Sequence, residues 1–236
     1  MTFSWKRVYA IFEKDFKDLS KNTYVLSTLI MPLVIAFILG RGNEIPIEIH
    51  YLAINLAFTA VAAFVQCAII AEEKEKHTLR GLMLSPATVF EIIGGKSLLS
   101  FALTAVTIVL CAKVTGYAPA NLIFIGIAII FSMFFYLALG TLLGLLSKSV
   151  MQASVIILPF IFIFSFGSSL QLLVTQTPYL QFINYLPNIQ LERLAKAVEA
   201  GATMSEIAVP LTVILGWGVV TWALVVAVFK KRMTDD

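Results

Sequence analysis

Charged side chains are scarce in this sequence of 236 residues: Asp, Glu, Lys and Arg make up 13% of it, whereas 59% is apolar. Soluble globular chains carry about 25% charged residues, because a water-facing surface needs them. The mean hydropathy of +0.92 agrees with this deficit. The shortage of charge excludes an ordinary soluble domain and indicates a chain that folds in lipid.

Cysteine and histidine are also rare, with two residues of each. Cys67 and Cys111 lie in apolar stretches, where a free cysteine acts as a small hydrophobic residue, so neither a disulfide framework nor a CxxC metal pair is predicted. His50 and His77 are too far apart for an HExxH zinc site. No basic stripe points to nucleic acid as a partner. The first two dozen residues mix both signs of charge, so no cleavable signal peptide is expected.

Six runs of the sequence contain no Asp, Glu, Lys or Arg. A helix needs about 20 residues to cross a bilayer, and four of the runs are long enough alone. The two short runs, the first and the third, become long enough if their flanking residues lie among the lipid headgroups. We therefore predict an all-α integral membrane protein with six transmembrane helices and one domain, residues 1–236. The runs are residues 25–39, 51–71, 97–112, 122–146, 153–174 and 209–229.

The positive charges predict the orientation of these spans. Thirteen of the 17 lysines and arginines lie in the N-terminal segment, in the loops after the second and fourth runs, and after the sixth run. Cytoplasmic loops of membrane proteins retain such an excess. Both termini are therefore predicted to be cytoplasmic, in a multi-pass protein of a bacterial or archaeal plasma membrane.

Residues 1–24 are predicted to form an amphipathic helix ahead of the first span. Its apolar residues recur at three- and four-residue steps, with lysines on the other faces. Such a helix suits the cytoplasmic membrane surface, although packing on a soluble partner stays open as an alternative. The apolar positions are Trp5, Val8, Tyr9, Phe12, Phe16 and Leu19.

The loop between the last two runs, residues 175–208, is extracytoplasmic in this orientation and too long for a simple turn. A helix is predicted over residues 189–200, preceded by Pro187 and ended by Gly201. The apolar stretch 178–185 is too short to cross a bilayer. It is either a re-entrant or interfacial element or part of a surface helical hairpin.

The spans carry no group suited to acid–base catalysis, because every Asp and Glu lies outside the six runs. An enzyme is therefore not expected, and ion-coupled carriers, which use buried charges, are disfavoured. Gly94-Gly95-Lys96-Ser97 is not a phosphate-binding loop, since Phe90 occupies the position of its first glycine. We expect these glycines to loosen the chain at the membrane surface, with Lys96 anchoring the cytoplasmic end of the third span.

The largest cytoplasmic loop, residues 72–96, begins with charges and then becomes amphipathic. Leu79, Leu82 and Met83 share one side at helical spacing, and Ser85-Pro86 ends the helix. A short amphipathic helix between two spans suits insertion into a groove of a soluble partner. The alternative is a charged loop that only sets topology.

This loop resembles that of the type-2 membrane subunits of ATP-binding-cassette (ABC) exporters. Their pattern E-x-E-x-G-T-L … L-x-x-S/T-P … E-x-x-x-G-K is matched by residues 73–79, 82–86 and 91–96, with His77 in place of the glycine. The resemblance continues in Met31-Pro32 within the first span and in Pro187 and Arg193 before the last one. It implies a permease with a cytoplasmic coupling helix that docks on an ATPase subunit.

The resemblance also implies roles for residues of the loop. Leu79 and Leu82 would anchor the helix in the ATPase, Thr78 and Ser85 would serve its ends, and Pro86 would stop it. Glu73 and Glu75 would meet basic groups on the partner. This chain would bind no cofactor, since ATP and Mg²⁺ would sit on the ATPase subunit. A second permease subunit, identical or homologous, would complete the substrate pathway.

Uncharged polar residues and abundant phenylalanines within the spans suit an amphiphilic cargo: a drug, a peptide, a lipid or a lipid-linked glycan. The function predicted is that of a permease subunit of an ABC exporter. A non-transporting membrane scaffold or assembly protein, or a secondary transporter, remains as the alternative.

Overall fold

The computed structural model describes residues 3–42, 44–78, 81, 84–167, 169, 171 and 178–235. Every regular element in these ranges is helical, which confirms the all-α prediction. The α-helices are α1 (Trp5–Leu19), α2 (Thr23–Ser27), α3 (Ile30–Leu39), α4 (Ile47–Ala57), α5 (Phe64–Glu75), α6 (Val89–Thr115), α7 (Leu122–Leu146), α8 (Val150–Ser165), α9 (Pro187–Glu199) and α10 (Met204–Asp235). A π-helical segment, Phe58–Ala63, joins α4 to α5, and a 3-10 segment, Pro178–Tyr185, precedes α9.

The centre of the fold is one continuous helix, Ile47–Glu75, made of α4, the π segment and α5. Its 29 residues span about 43 Å at 1.5 Å per residue, more than the hydrocarbon thickness of a bilayer. The other helices enclose its apolar part completely. A helix without a charged face is buried in this way, and residues 51–71 contain no Asp, Glu, Lys or Arg.

The bundle has two ends, which we name for the helices found there. The α1 end contains α1, the last turn of α5 and the first turns of α6, which are joined by ion pairs. The α9 end contains the first turn of α4, the C-terminal end of α6 and the C-terminal end of α9. The central helix connects the two ends.

Buried polar side chains tie the central helix to its neighbours. The Gln66 side chain donates to Thr141 Oγ1 of α7 at 3.0 Å and accepts from Ser100 Oγ of α6 at 2.9 Å. Near the π segment, the hydroxyls of Thr59 and Ser165 lie 2.8 Å apart and join the central helix to α8. These polar residues serve helix–helix packing, as uncharged polar residues commonly do in membranes.

Four helices are long and apolar enough to cross a membrane: Ile47–Glu75, Val89–Thr115, Leu122–Leu146 and Met204–Lys231. They contain the second, third, fourth and sixth predicted spans. Trp5–Leu19 and Thr23–Leu39 together make a fifth candidate, bent by 86°. In the fifth predicted span, α8 covers only Val150–Ser165, and residues 168, 170 and 172–174 lie outside the described residues. The count of six spans stays a prediction.

The third span begins earlier than the sequence indicated. Helix α6 starts at Val89 and includes Gly94, Gly95 and Lys96, so the expectation that these glycines loosen the chain is wrong. Thr88 caps the helix: its Oγ1 accepts from the backbone N–H of Glu91, whose carboxylate accepts from the N–H of Thr88. This capping box starts the helix eight residues before the charge-free run.

Two glycines one turn apart let α7 lie directly against the central helix. A Cβ atom at Gly140 would lie 2.3 Å from the carbonyl oxygen of Ala63, and one at Gly144 would lie 2.8 Å from that of Cys67. This small-xxx-small spacing is a packing motif of membrane helices. Gly126, on the same helix, faces open space. Of these three glycines, only Gly140 and Gly144 are required for the close contact.

The α9 end confirms the helix predicted in the loop of residues 175–208. Helix α9 runs over Pro187–Glu199, and Gly201 follows it with φ of +71°, the left-handed conformation that glycine adopts readily. The 3-10 segment is joined to α10 by a hydrogen bond from the Trp217 indole N–H to the carbonyl of Tyr185, at 2.8 Å. Its re-entrant or surface placement stays a prediction.

Candidate functional site

The loop of residues 72–96 was predicted to carry the function, and both of its ends are described. Leu79 and Leu82, its predicted anchors, lie outside the described residues, together with Arg80 and Met83. The structure therefore leaves the helix between them untested. What it does show is how the two ends of the loop are held.

Lys96 is the centre of a buried charged cluster, formed by Lys14, Asp15, Glu73 and Lys96. Its side chain is fully buried, and Nζ lies 3.1 Å from Oδ1 and 3.2 Å from Oδ2 of Asp15, and 3.0 Å from Oε1 of Glu73. Asp15 belongs to α1 and Glu73 to the last turn of α5. The expectation that Lys96 anchors the third span among the lipid headgroups is therefore wrong. Its ammonium joins α1, α5 and α6 instead.

Lys14 closes the outer side of the charged cluster. Its half-exposed ammonium donates a hydrogen bond to Glu73 and lies 3.9 Å from the Asp15 carboxylate and 3.6 Å from that of Asp18. The cluster thus contains two lysines and two nearly inaccessible carboxylates. Buried charges are tolerated when they are paired in this way.

The close approach of α1 to α6 makes the charged cluster possible. Val8, Ile11, Asp15 and Leu19 form the buried face of α1. A Cβ atom at Gly95 would lie 2.9 Å from Cβ of Ile11 and 3.0 Å from the carbonyl oxygen of Val8. Because Gly95 has no side chain, α1 lies near enough for Asp15 to reach Lys96.

A second contact fixes the start of the chain to the start of α6. The buried carboxylate of Glu91 accepts from the Ser4 backbone N–H at 2.5 Å and from Arg7 Nη2 at 2.7 Å, in addition to the N–H of Thr88. Charge-assisted hydrogen bonds of this kind are the strong ones. The C-terminal end of the loop is thus held to α1 at two places, Glu91 and Lys96.

The other predicted site residues occupy different surroundings. Thr78 donates to the carboxylate of Glu73 and to its carbonyl oxygen. The exposed Glu75 accepts from the backbone N–H of Val150, at the first residue of α8. Ser85 Oγ accepts from the N–H of Ala87, and Pro86 is exposed. The basic groups that Glu73 meets in the structure are Lys14 and Lys96 of its own chain.

The backbone conformation at His77 accounts for the glycine that the resembled pattern has at this position. Its φ is +55°, and it is the only non-glycine residue with positive φ in the described ranges. This left-handed conformation is open to glycine without steric cost and is sparsely populated by other residues. The chain therefore keeps the turn that ends α5, although it lacks the glycine.

Burial and charge act against each other in this cluster. Burial raises the pKa of the Asp15 carboxyl, and the charge and hydrogen bonds of Lys96 offset only part of that effect. For Lys14, burial alone would lower the pKa, but the hydrogen bond and charge of Glu73 and the charges of Asp15 and Asp18 raise it. Burial thus disfavours the charged form of Asp15, whereas the neighbouring carboxylates favour the charged form of Lys14.

Gly95→Ala tests the close approach of α1. We expect it to weaken the docking of α1 by about 1–3 kcal/mol, because the new methyl group overlaps Ile11 and the Val8 carbonyl. Faster hydrogen exchange of the α1 amides in detergent micelles would report the loss. Gly94→Ala is the control, since a Cβ atom there meets nothing within 4 Å. Equal exchange in the two variants would contradict this account.

The sequence was compared with models of known protein families. Residues 45–227 match the family described as ABC-2 family transporter protein, which covers more than half of the chain. No curated protein matches the sequence. The matched range includes the central helix, the whole loop of residues 72–96 and most of α10, but not α1.

Proposed function

The chain belongs to the ABC-2 transporter family, and we propose that it is the permease subunit of an ABC exporter, powered by a separate ATPase chain. Family membership and the apolar helices make it a multi-pass membrane component of a transporter. The proposal adds six spans, both termini in the cytoplasm of a bacterial or archaeal cell, and a second permease subunit. It also adds an amphiphilic cargo, with ATP and Mg²⁺ bound by the partner ATPase alone.

We assign coupling to the loop of residues 72–96, and the charged cluster is the observation that carries this assignment. Glu73 lies at the N-terminal end of the loop and Lys96 at its C-terminal end, and they are joined at 3.0 Å. Both ends are also tied to α1 through Asp15 and Lys14. A force applied to the loop would therefore move α1, α5 and α6 together, and α5 is the last part of the central helix.

Leu79→Ala with Leu82→Ala tests this role. Truncation of a buried interface anchor costs about 2 kcal/mol or more. A Walker-motif ATPase should co-purify with the tagged wild-type chain, and we expect its yield to fall more than tenfold with the double variant. ATP-dependent transport in vesicles should be lost as well. The spans should still insert, because the lysines and arginines that set the topology are unchanged.

Leu122→Ala with Ile123→Ala is the matched control. It also removes two apolar side chains, both exposed, from the first turn of α7 at the α9 end. Wild-type ATPase recovery is expected for this control. Wild-type recovery and transport by the Leu79/Leu82 variant would refute the coupling assignment. A wild-type chain that captures no ATPase would favour the scaffold alternative, and transport driven by an ion gradient would favour a secondary transporter.

A further inference from the structure

The last turn of α5 also holds the turn that joins α7 to α8, through Lys74. The ammonium of Lys74 donates to the carbonyl oxygen of Leu145 at 2.6 Å and to that of Ser147. Both of these residues are fully buried, and Leu145 lies in the last turn of α7, where carbonyl groups lack partners within the helix. A buried carbonyl without a partner is costly, so Lys74 fixes this end of α7 to α5.

Glu75, the next residue of α5, holds the other side of the same turn. Its Oε2 accepts from the backbone N–H of Val150, the first residue of α8, at 2.9 Å. A cation at the C-terminal end of a helix and an anion at the N-terminal end both interact favourably with the helix dipole. The two neighbouring charges of α5 therefore match the two helix ends that they contact.

The close packing of α7 on the central helix brings the end of α7 within reach of Lys74. A Cβ atom at Gly144 would lie 2.7 Å from Cβ of Ile70. Gly144 directly precedes Leu145, and Ile70 lies four residues before Lys74, which is about one helical turn. The contact of Lys74 with α7 thus rests on backbone packing as well as on a long side chain.

Three consecutive residues of α5 therefore contact different neighbours: Glu73 contacts α1 and α6, Lys74 contacts α7, and Glu75 contacts α8. Successive residues of an α-helix point about 100° apart, so three of them cover more than half of its circumference. We infer that Lys74, assisted by Glu75, is a positioning residue for transport. It joins the α7–α8 turn to the loop of residues 72–96, so that a motion of the loop displaces α7 and α8 together with α5. This role rests on the proposed function, and it extends the coupling from three helices to five.

A fluorescent reporter on the α7–α8 turn tests this role. Lys148→Cys places a reactive thiol on an exposed residue of the turn, and the native Cys67 and Cys111 are buried, so an environment-sensitive dye labels the new position. The labelled chain is reconstituted in nanodiscs with the ATPase that co-purifies with it. Addition of ATP and Mg²⁺ should change the dye fluorescence. With Lys74→Met we expect a response at least fivefold smaller at an unchanged rate of ATP hydrolysis.

Two further variants make the Lys74 result specific. Lys74→Arg keeps a cation with several N–H donors for the two carbonyl oxygens and should restore the response. Lys17→Met is the charge-matched control, because it removes a lysine from an exposed pair with Glu13 on α1. Its response should equal that of the wild type. Equal responses of the Lys74→Met and Lys17→Met chains would overturn the inference.

If Lys74→Met does not fold, Glu75→Ala decides, because its contact is exposed and Ser149 still caps α8. We expect its response to fall at least twofold. Glu75→Gln keeps an oxygen for the Val150 N–H and should respond as the wild type. A wild-type response from Glu75→Ala would overturn the inference, and so would an equal loss with Glu75→Gln, which would indicate pairing with the ATPase instead.

The wild-type complex separates this inference from the proposed function. A complex that hydrolyses ATP while the dye on the turn stays silent would overturn the role of Lys74 and leave the coupling assignment standing. A wild-type chain that captures no ATPase would overturn both.

Discussion

Lys96→Met is expected to destabilise the α1 end more than any other single change in the charged cluster. It removes the ammonium that lies within 3.2 Å of both Asp15 and Glu73, and both carboxylates are nearly inaccessible to water. Breaking a buried ion pair by removing one partner costs about 3–5 kcal/mol, because the other charge is left unpaired. Because Lys14 still balances Glu73, we expect a loss at the lower end of this range, about 3 kcal/mol in the free energy of unfolding. Thermal unfolding in detergent and hydrogen exchange of α1 would measure the loss.

Two variants make the Lys96 result specific. Lys76→Met breaks the exposed pair of Lys76 with Glu72, four residues earlier on the chain, and should cost about 0.3–0.5 kcal/mol. Asp15→Asn added to Lys96→Met removes the stranded charge and should recover more than half of the loss. A Lys96→Met chain as stable as the Lys76→Met chain would show that the cluster contributes little to the fold.

Gly140→Ala should produce the second large effect, a loss of about 1–3 kcal/mol in the free energy of unfolding. A methyl group at this position would lie 2.3 Å from the Ala63 carbonyl oxygen, and a backbone atom cannot rotate away as a side chain can. The α7 helix must therefore move off the central helix. Unfolding by sodium dodecyl sulfate, followed by circular dichroism, is the measurement.

Gly126→Ala is the matched control for that substitution, because it makes the same change in the same helix where a Cβ atom meets nothing. Alanine favours a helix over glycine by up to about 1 kcal/mol, so this variant should be as stable as the wild type or more so. If Gly140→Ala behaved in the same way, the contact between α7 and the central helix would not depend on the missing side chain.

Most of the spans could be predicted from the sequence because membrane-spanning helices contain long runs without charged residues. Residues 122–146 coincide with α7, and residues 51–71 lie inside the central helix. The same rule misplaced the start of α6, since it treats every charge as a boundary. Lys96 and Glu91 are inside that helix because their charges are balanced by Asp15 and Arg7, which lie more than 80 residues earlier. Spacing along the chain does not show such partners.

For the site, the sequence located the loop but not the groups that hold it. The prediction that Glu73 meets basic groups on a partner stays a prediction, and within its own chain Glu73 pairs with Lys14 and Lys96. One signal was present in the sequence: Asp15 shares helical spacing with Val8, Ile11 and Leu19, which places a carboxylate on the apolar face of α1. A charge on an apolar face calls for a buried partner. The partner itself could be identified only from the packing of α1 on α6.

The separation of Lys96 from Asp15 by 81 residues has a consequence for the order of events during synthesis. A ribosome adds about 5–20 residues per second, so Asp15 emerges on the order of ten seconds before the lysine that balances it. During that interval its carboxylate is stable only in water, which keeps α1 out of the bundle. Helix α1 is thus made before α6 but docks only after α6 has been made, and its docking reports that α5 and α6 have come together.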